Sequence, residues 1–218
     1  MIRKLSIALM FILLSPAFAT VTPVQRSAGE VASWDFDVYL NDKKVGKHEF
    51  KVIETGGVRQ VQSEASFTYK ILFIPAYRYQ HSAAERWTDN CLVEFDASTN
   101  ANGERIQVSG AQSGSGFVVE KDGNPVELPD CVMTFAYWNP DFLEQPRLLN
   151  PQTGEYVDVR VENLGEETLD FRGQSIAATR FTLKAYGVDL TLWYSTDDEW
   201  LGLESIAKGG HIIRYERS

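Results

Sequence analysis

Apolar and polar residues alternate with a period of two along most of the chain after residue 30, which is the signature of half-buried β-strands. Residues 32–40 put Trp34, Phe36, Val38 and Leu40 on one face and Asp35, Asp37 and Tyr39 on the other. Asn41-Asp42-Lys43-Lys44 reads as a turn, residues 45–54 run back, and Thr55-Gly56-Gly57 turns again. Residues 58–74 form a long third strand with Val61, Ala65, Phe67, Tyr69, Ile71 and Phe73 toward the core and Gln60, Gln62, Glu64 and Lys70 toward water. Pro75 is expected to break it, because proline cannot donate to a central ladder.

Residues 77–88 carry the least ordinary alternation. One face holds Tyr77, Tyr79, His81, Ala83, Glu85 and Trp87; the other holds Arg78, Gln80, Ser82, Ala84 and Arg86. A His and a Glu on an aromatic face are either a structural polar network or the wall of a site. Strands are then expected at residues 91–98, 104–109, 117–121 and 126–128. The glycine-rich stretch 110–116 reads as a flexible connection.

Residues 129–151 break the rhythm. Asn139 can cap a short helix that Pro140 opens and Pro146 limits, and Phe135, Tyr137, Trp138, Phe142, Leu148 and Leu149 make the stretch strongly apolar. A cap across a barrel end or sheet face is the expectation, with a lid over a ligand as its functional version. Strands resume at 155–164, 168–171, 175–186, 188–195, 200–208 and 211–216, with turns about every ten residues. The pattern predicts an all-β fold: an antiparallel meander in a single curved sheet, half-barrel or barrel of about ten to twelve strands, with a short irregular or helical cap.

The first nineteen residues change the picture of location. Arg3 and Lys4 precede an apolar run ending before Ala17-Phe18-Ala19, which reads as a cleaved secretory leader. A linker (20–29) and one β domain (30–218) would follow. Without Arg3 and Lys4 the chain has 19 basic against 30 acidic side chains, a formal charge of −11. Such a surface repels phosphate backbones and anionic headgroups, so neither nucleic acid nor electrostatic membrane docking is expected. No apolar run is long enough for an integral membrane anchor, and no protein partner is indicated. Cys91 and Cys131 are the two cysteines; in an oxidising compartment an even count favours one disulfide.

Candidate chemistry is sparse. No nucleophile elbow, zinc-protease or P-loop motif occurs, and His48, His81 and His211 lack metal-ligand spacing, so no metal or cofactor is expected. His81, Glu85, Glu64 and His48 could form a composite acid–base site if the first four strands are neighbours. The plainer account is that they hydrogen-bond within the fold. Tyr77, Tyr79, Trp87, Phe135, Tyr137 and Trp138 are the candidate ligand-contacting aromatics.

V-x-L-N-D-x-x-V-G-x-H-x-F at residues 38–50, Y-x-Y-x-H-x-x-x-E-x-W at 77–87, F-A-Y-W-N-P at 135–140 with L-L-N-P-Q-T-G at 148–154, and W-L-G-L-E-S at 200–205 together resemble a family of exported bacterial proteins of unknown function. The resemblance implies a mainly antiparallel β protein of a Gram-negative periplasm and carries no assigned activity. More distantly, the chain is similar to periplasmic lipoprotein-carrier half-barrels, which hold acyl chains in an aromatic concavity. The reading reached is a periplasmic β protein that binds or carries an apolar or lipid-like ligand. The alternatives are a hydrolase or isomerase using a His/Glu pair, and an envelope scaffold.

Overall fold

The computed structural model describes residue 29 and residues 31–218, apart from 72, 73, 172, 207 and 208. The expected leader, nearly all of the linker and Phe73 lie outside the described residues. The first half of the fold is a meander of eight strands: β1 (Val31–Leu40), β2 (Lys43–Thr55), β3 (Val58–Ile71), β4 (Ile74–Thr88), β5 (Cys91–Ala101), β6 (Glu104–Ser113), β7 (Gly116–Lys121) and β8 (Asn124–Pro129). The chain then crosses through residues 130–146, including one 3-10 turn (Pro140–Glu144), into β9 (Arg147–Leu149). A second meander follows: β10 (Tyr156–Phe171), β11 (Gln174–Ala185), β12 (Val188–Ser195), β13 (Trp200–Ile206) and β14 (Ile212–Arg217).

All fourteen strands belong to one antiparallel sheet in the order β8-β7-β6-β5-β4-β3-β2-β1-β14-β13-β12-β11-β10-β9. The meanders are joined by β1 against β14, with Val38 opposite Tyr215. The sheet stays open, with β8 and β9 at its edges. Pro125 and Pro129 in β8 blunt one edge, since proline offers no donor to an incoming strand. Tight turns carry the residues they require: Asn102-Gly103 and Asp122-Gly123 both have positive φ at both positions, the backbone of a type I′ hairpin.

The sheet has fourteen strands, more than the expected ten to twelve, and three local features extend or add strand beyond the expected segments. Residues 110–116 are mostly strand and not a connection, because Gly110 makes room for rings: a Cβ there would lie 2.6 Å from Phe117 and 2.7 Å from Phe95. Leu148 and Leu149 pair with β10 as β9, within the stretch read as irregular. Strand β4 begins at Ile74, with Pro75 accommodated where the register shifts between Tyr69 and Lys70. In the other direction, 155–164 and 168–171 are one strand, β10, carried past a bulge at Gly165, whose φ is +92°.

The crossing segment also differs from a cap. Val132, Met133, Ala136, Phe142, Leu148 and Leu149 are buried and belong to the same core as Phe36, Trp87 and Leu92. A wide sheet encloses more space than one layer of side chains fills, and the chain itself supplies the filling. The filling is fastened on both sides. Cys91 at the start of β5 is disulfide-bonded to Cys131, and Leu92 N donates to Val132 O at 3.0 Å. Tyr194 Oη in β12 donates to Tyr137 O at 2.8 Å. The Arg59 guanidinium stacks over Trp138, and Asn139 Nδ2 donates to Asn90 Oδ1.

Candidate functional site

Between the concave face of the sheet and the crossing segment lies a cavity of about 400 Å³. Phe50, Phe67, Tyr79 and Tyr215 wall it from the sheet, and Phe135, Tyr137 and Trp138 from the crossing segment. Its exposed lining residues, Tyr77, Gln152 and Gly187, mark where it reaches solvent. Alternation in β2, β3 and β4 puts His48, Ser63, His81 and Glu85 on the same concave face as these rings.

His48 is closed on both sides. Its Nε2 shares a hydrogen bond with Ser63 Oγ at 2.7 Å and its Nδ1 one with Tyr215 Oη at 3.1 Å, while the ring stacks on Phe50 at 4.2 Å. Burial, and secondarily the neighbouring His81, push its pKa down to about 3, so the ring is neutral. His81 shares a hydrogen bond through Nδ1 with Thr99 Oγ1 at 2.9 Å, and burial brings its pKa down to about 4. Nothing among the described residues bonds its Nε2. Glu85 accepts from Trp87 Nε1 at 2.9 Å and from Thr134 Oγ1 at 3.1 Å, so one carboxylate ties β4 to the crossing segment. Burial raises its pKa to about 7, against the opposing effect of those two hydrogen bonds. Burial likewise raises the phenol pKa of Tyr79, Tyr137 and Tyr215.

His48, His81, Glu85, Tyr77, Tyr79, Phe135, Tyr137 and Trp138 therefore share one cavity. Glu64 does not. It is exposed on the outer face, opposite Glu49 and Ser82 in the neighbouring strands, so a four-residue composite of His48, His81, Glu64 and Glu85 does not form. The reason is the pleat: Glu64 occupies an even position of a strand whose odd positions face inward. Trp87 is fully buried behind the wall, edge-on to Trp138 at 5.5 Å, where it orients Glu85 instead of meeting the cavity. Sequence reasoning missed Tyr215, Ser63, Thr99 and Thr134. The inward alternation of β3 and β5 flags Ser63 and Thr99 as buried polar positions, but Tyr215 reaches His48 across 167 residues and has no local signal. Among the described residues there is no group of three or more His, Cys, Asp or Glu placed to hold a metal ion, and no helix long and apolar enough to cross a membrane.

The fold is shared. A crystal structure from Brucella abortus, described as a beta-barrel-like protein of domain of unknown function DUF1849, superposes with a TM-score of 0.61 at 8% identity, covering 88% of this chain and 97% of that one. At that identity the likeness is one of fold. No curated protein matches the chain. Residues 36–218, which include all of the sheet after the first residues of β1, match the family described as Domain of unknown function (DUF6134), and the chain belongs to that family.

Proposed function

We propose that the protein is an exported binding or carrier protein for a compact apolar molecule, held between the concave face of the sheet and the crossing segment. The observation that carries this reading is the cavity of about 400 Å³ with rings on opposite walls. Small-molecule sites are concave, mostly apolar and several hundred Å³ in volume, with a few placed polar groups. A core that merely needed filling would place larger side chains at Ala83 and Ala136, which face this space as alanines. The volume suits a single chain or a small ring system. The periplasmic location rests on the leader read from residues 1–19.

Native mass spectrometry of protein purified from its own periplasm tests the reading. A bound mass should be present, lost on denaturation, and excluded by Ala136→Phe, which fills the cavity. Protein that is repeatedly empty, with the wild type and Ala136→Phe indistinguishable, would sink it.

One observation favours a second reading, acid–base chemistry on the bound molecule. Glu85 lines the cavity with its pKa near 7, where a carboxyl group can both give and take a proton. The test is whether the molecule recovered from the protein changes mass or isomer on incubation with wild type and not with Glu85→Gln. No change with either removes it.

A further inference from the structure

Among the described residues the cavity wall has no lysine or arginine, and both of its histidines are neutral. It therefore offers an anionic head group no counter-charge, and an unpaired charge inside an apolar site is strongly disfavoured. Glu85, the acid on the wall among the described residues, already accepts one hydrogen bond on each carboxylate oxygen, from Trp87 and Thr134, which partly meet its charge. What the wall does leave unused is neutral. No described residue hydrogen-bonds the Tyr79 hydroxyl, the Tyr137 hydroxyl or His81 Nε2. The buried and unpartnered side-chain atoms of the described residues are Trp34 Nε1, Asp37 Oδ1 and Arg180 Nε, so the two hydroxyls and the ring nitrogen are not sealed off, and all three belong to residues that line the cavity. Both hydroxyls belong to residues that line this one cavity, Tyr79 on the sheet and Tyr137 on the crossing segment. Tyr215 itself is engaged by His48.

We infer that the ligand carries an uncharged oxygen acceptor at its polar end, a carbonyl group, to which the Tyr79 and Tyr137 hydroxyls donate beside neutral His81. This rests on the binding reading above and narrows it from apolar molecules in general to neutral carbonyl compounds. Fatty acids and alkyl amines are disfavoured: the first lack a cation to meet, and the second meet a carboxyl group that is only partly ionised near pH 7 and whose charge Trp87 and Thr134 already share.

The test is a matched series of 2-decanone, decanoate and decylammonium, titrated into the wild-type protein at pH 7.5 by calorimetry. The ketone should bind at least about ten-fold more tightly than either ion. Tyr79→Phe with Tyr137→Phe should weaken ketone binding by about ten-fold while leaving far-UV dichroism and the melting temperature near wild type. Equal or tighter binding of either ion, or ketone affinity unchanged in a folded double variant, overturns the carbonyl assignment and leaves the carrier reading standing. Where none of the three binds but the purified protein carries a molecule of its own, a charged head group on that molecule overturns the assignment. Absence of both is failure of the carrier reading itself.

Discussion

His48 and His81 sit on the same concave face, both buried and both neutral, yet their surroundings differ in what is left over. Around His48, in β2, β3 and β14, each ring nitrogen meets a hydroxyl, and the Tyr215 and Ser63 groups are used in turn. Around His81, in β4 and β5, one nitrogen is held by Thr99 and the other has no partner among the described residues, nor have the Tyr79 and Tyr137 hydroxyls of the same cavity. A buried polar group satisfied entirely by protein fixes the fold and has little left to offer a ligand. A group that stays half satisfied at a cavity wall costs stability unless something arrives to complete it. By that measure the His48 region is structural and the His81 region is the place for recognition.

The largest expected effect removes the frame on which both regions depend. Replacing Cys91 and Cys131 with serine frees the start of the crossing segment. With a separation of 40 residues, the chain-entropy model gives a loss of about 4 kcal/mol in urea unfolding. A loss too small to resolve would mean that packing of the crossing segment suffices without the bond. Next comes His48→Leu, which leaves Ser63 and Tyr215 without partners and should cost about 2 to 3 kcal/mol in denaturant melts while ligand binding persists. A neutral outcome would place the His48 network outside the stabilising structure and erase the contrast.

Acid titration sharpens the comparison through its sign. The unfolded chain protonates His48 and His81 near pH 6.5, whereas the folded protein resists until about pH 3 and about pH 4, so stability falls as pH drops from 6.5 toward 4. Glu85 works the other way. Its folded pKa near 7 lies above the unfolded value of 4.5, so it contributes stability at low pH that is lost as pH rises from 4.5 through 7. Two histidines against one acid leave a net loss on the order of 2 kcal/mol between pH 6.5 and 4.5, read as a lower melting temperature. Glu85→Gln should steepen that dependence; a flatter curve would show that Glu85 is ionised in the fold. The smallest effect is the most discriminating one. Tyr79→Phe deletes a hydroxyl that no described residue hydrogen-bonds, so stability should change by less than about 0.5 kcal/mol, in contrast to His48→Leu. A large loss would show that the hydroxyl is structural after all.

Much of the meander from β1 to β5 was legible, because the strands alternate about a buried face and the turns at Asn41, Gly56-Gly57 and Asp89 carry residues suited to positive φ. The Cys91–Cys131 bond was legible from an even count together with the leader expected at residues 1–19. Glu64 was misplaced among the candidates although its own strand put it on the wet face. Adjacent strands bring Glu64 near Ser82 in the ladder, but adjacency in a ladder does not bring opposite faces together. The aromatic segment was recognised by its composition. Its role was not, since a segment packed into the core and an exposed cap share the same residues and differ only in what surrounds them.

The sequence by itself determined which side chains point inward, where the chain turns and which cysteines pair, because these depend on a period of two, on φ at single residues and on a count. Only the tertiary structure decided that β1 pairs with β14, bringing Tyr215 to His48, and that the crossing segment buries Val132, Met133, Ala136 and Phe142 in the core of the sheet. It alone decided that about 400 Å³ stays unfilled beside Tyr79, His81 and Tyr137. That volume is the difference between the space enclosed by fourteen strands and the chain packed into it. Curvature and register accumulated over the whole sheet set this difference, and no local stretch of residues encodes it.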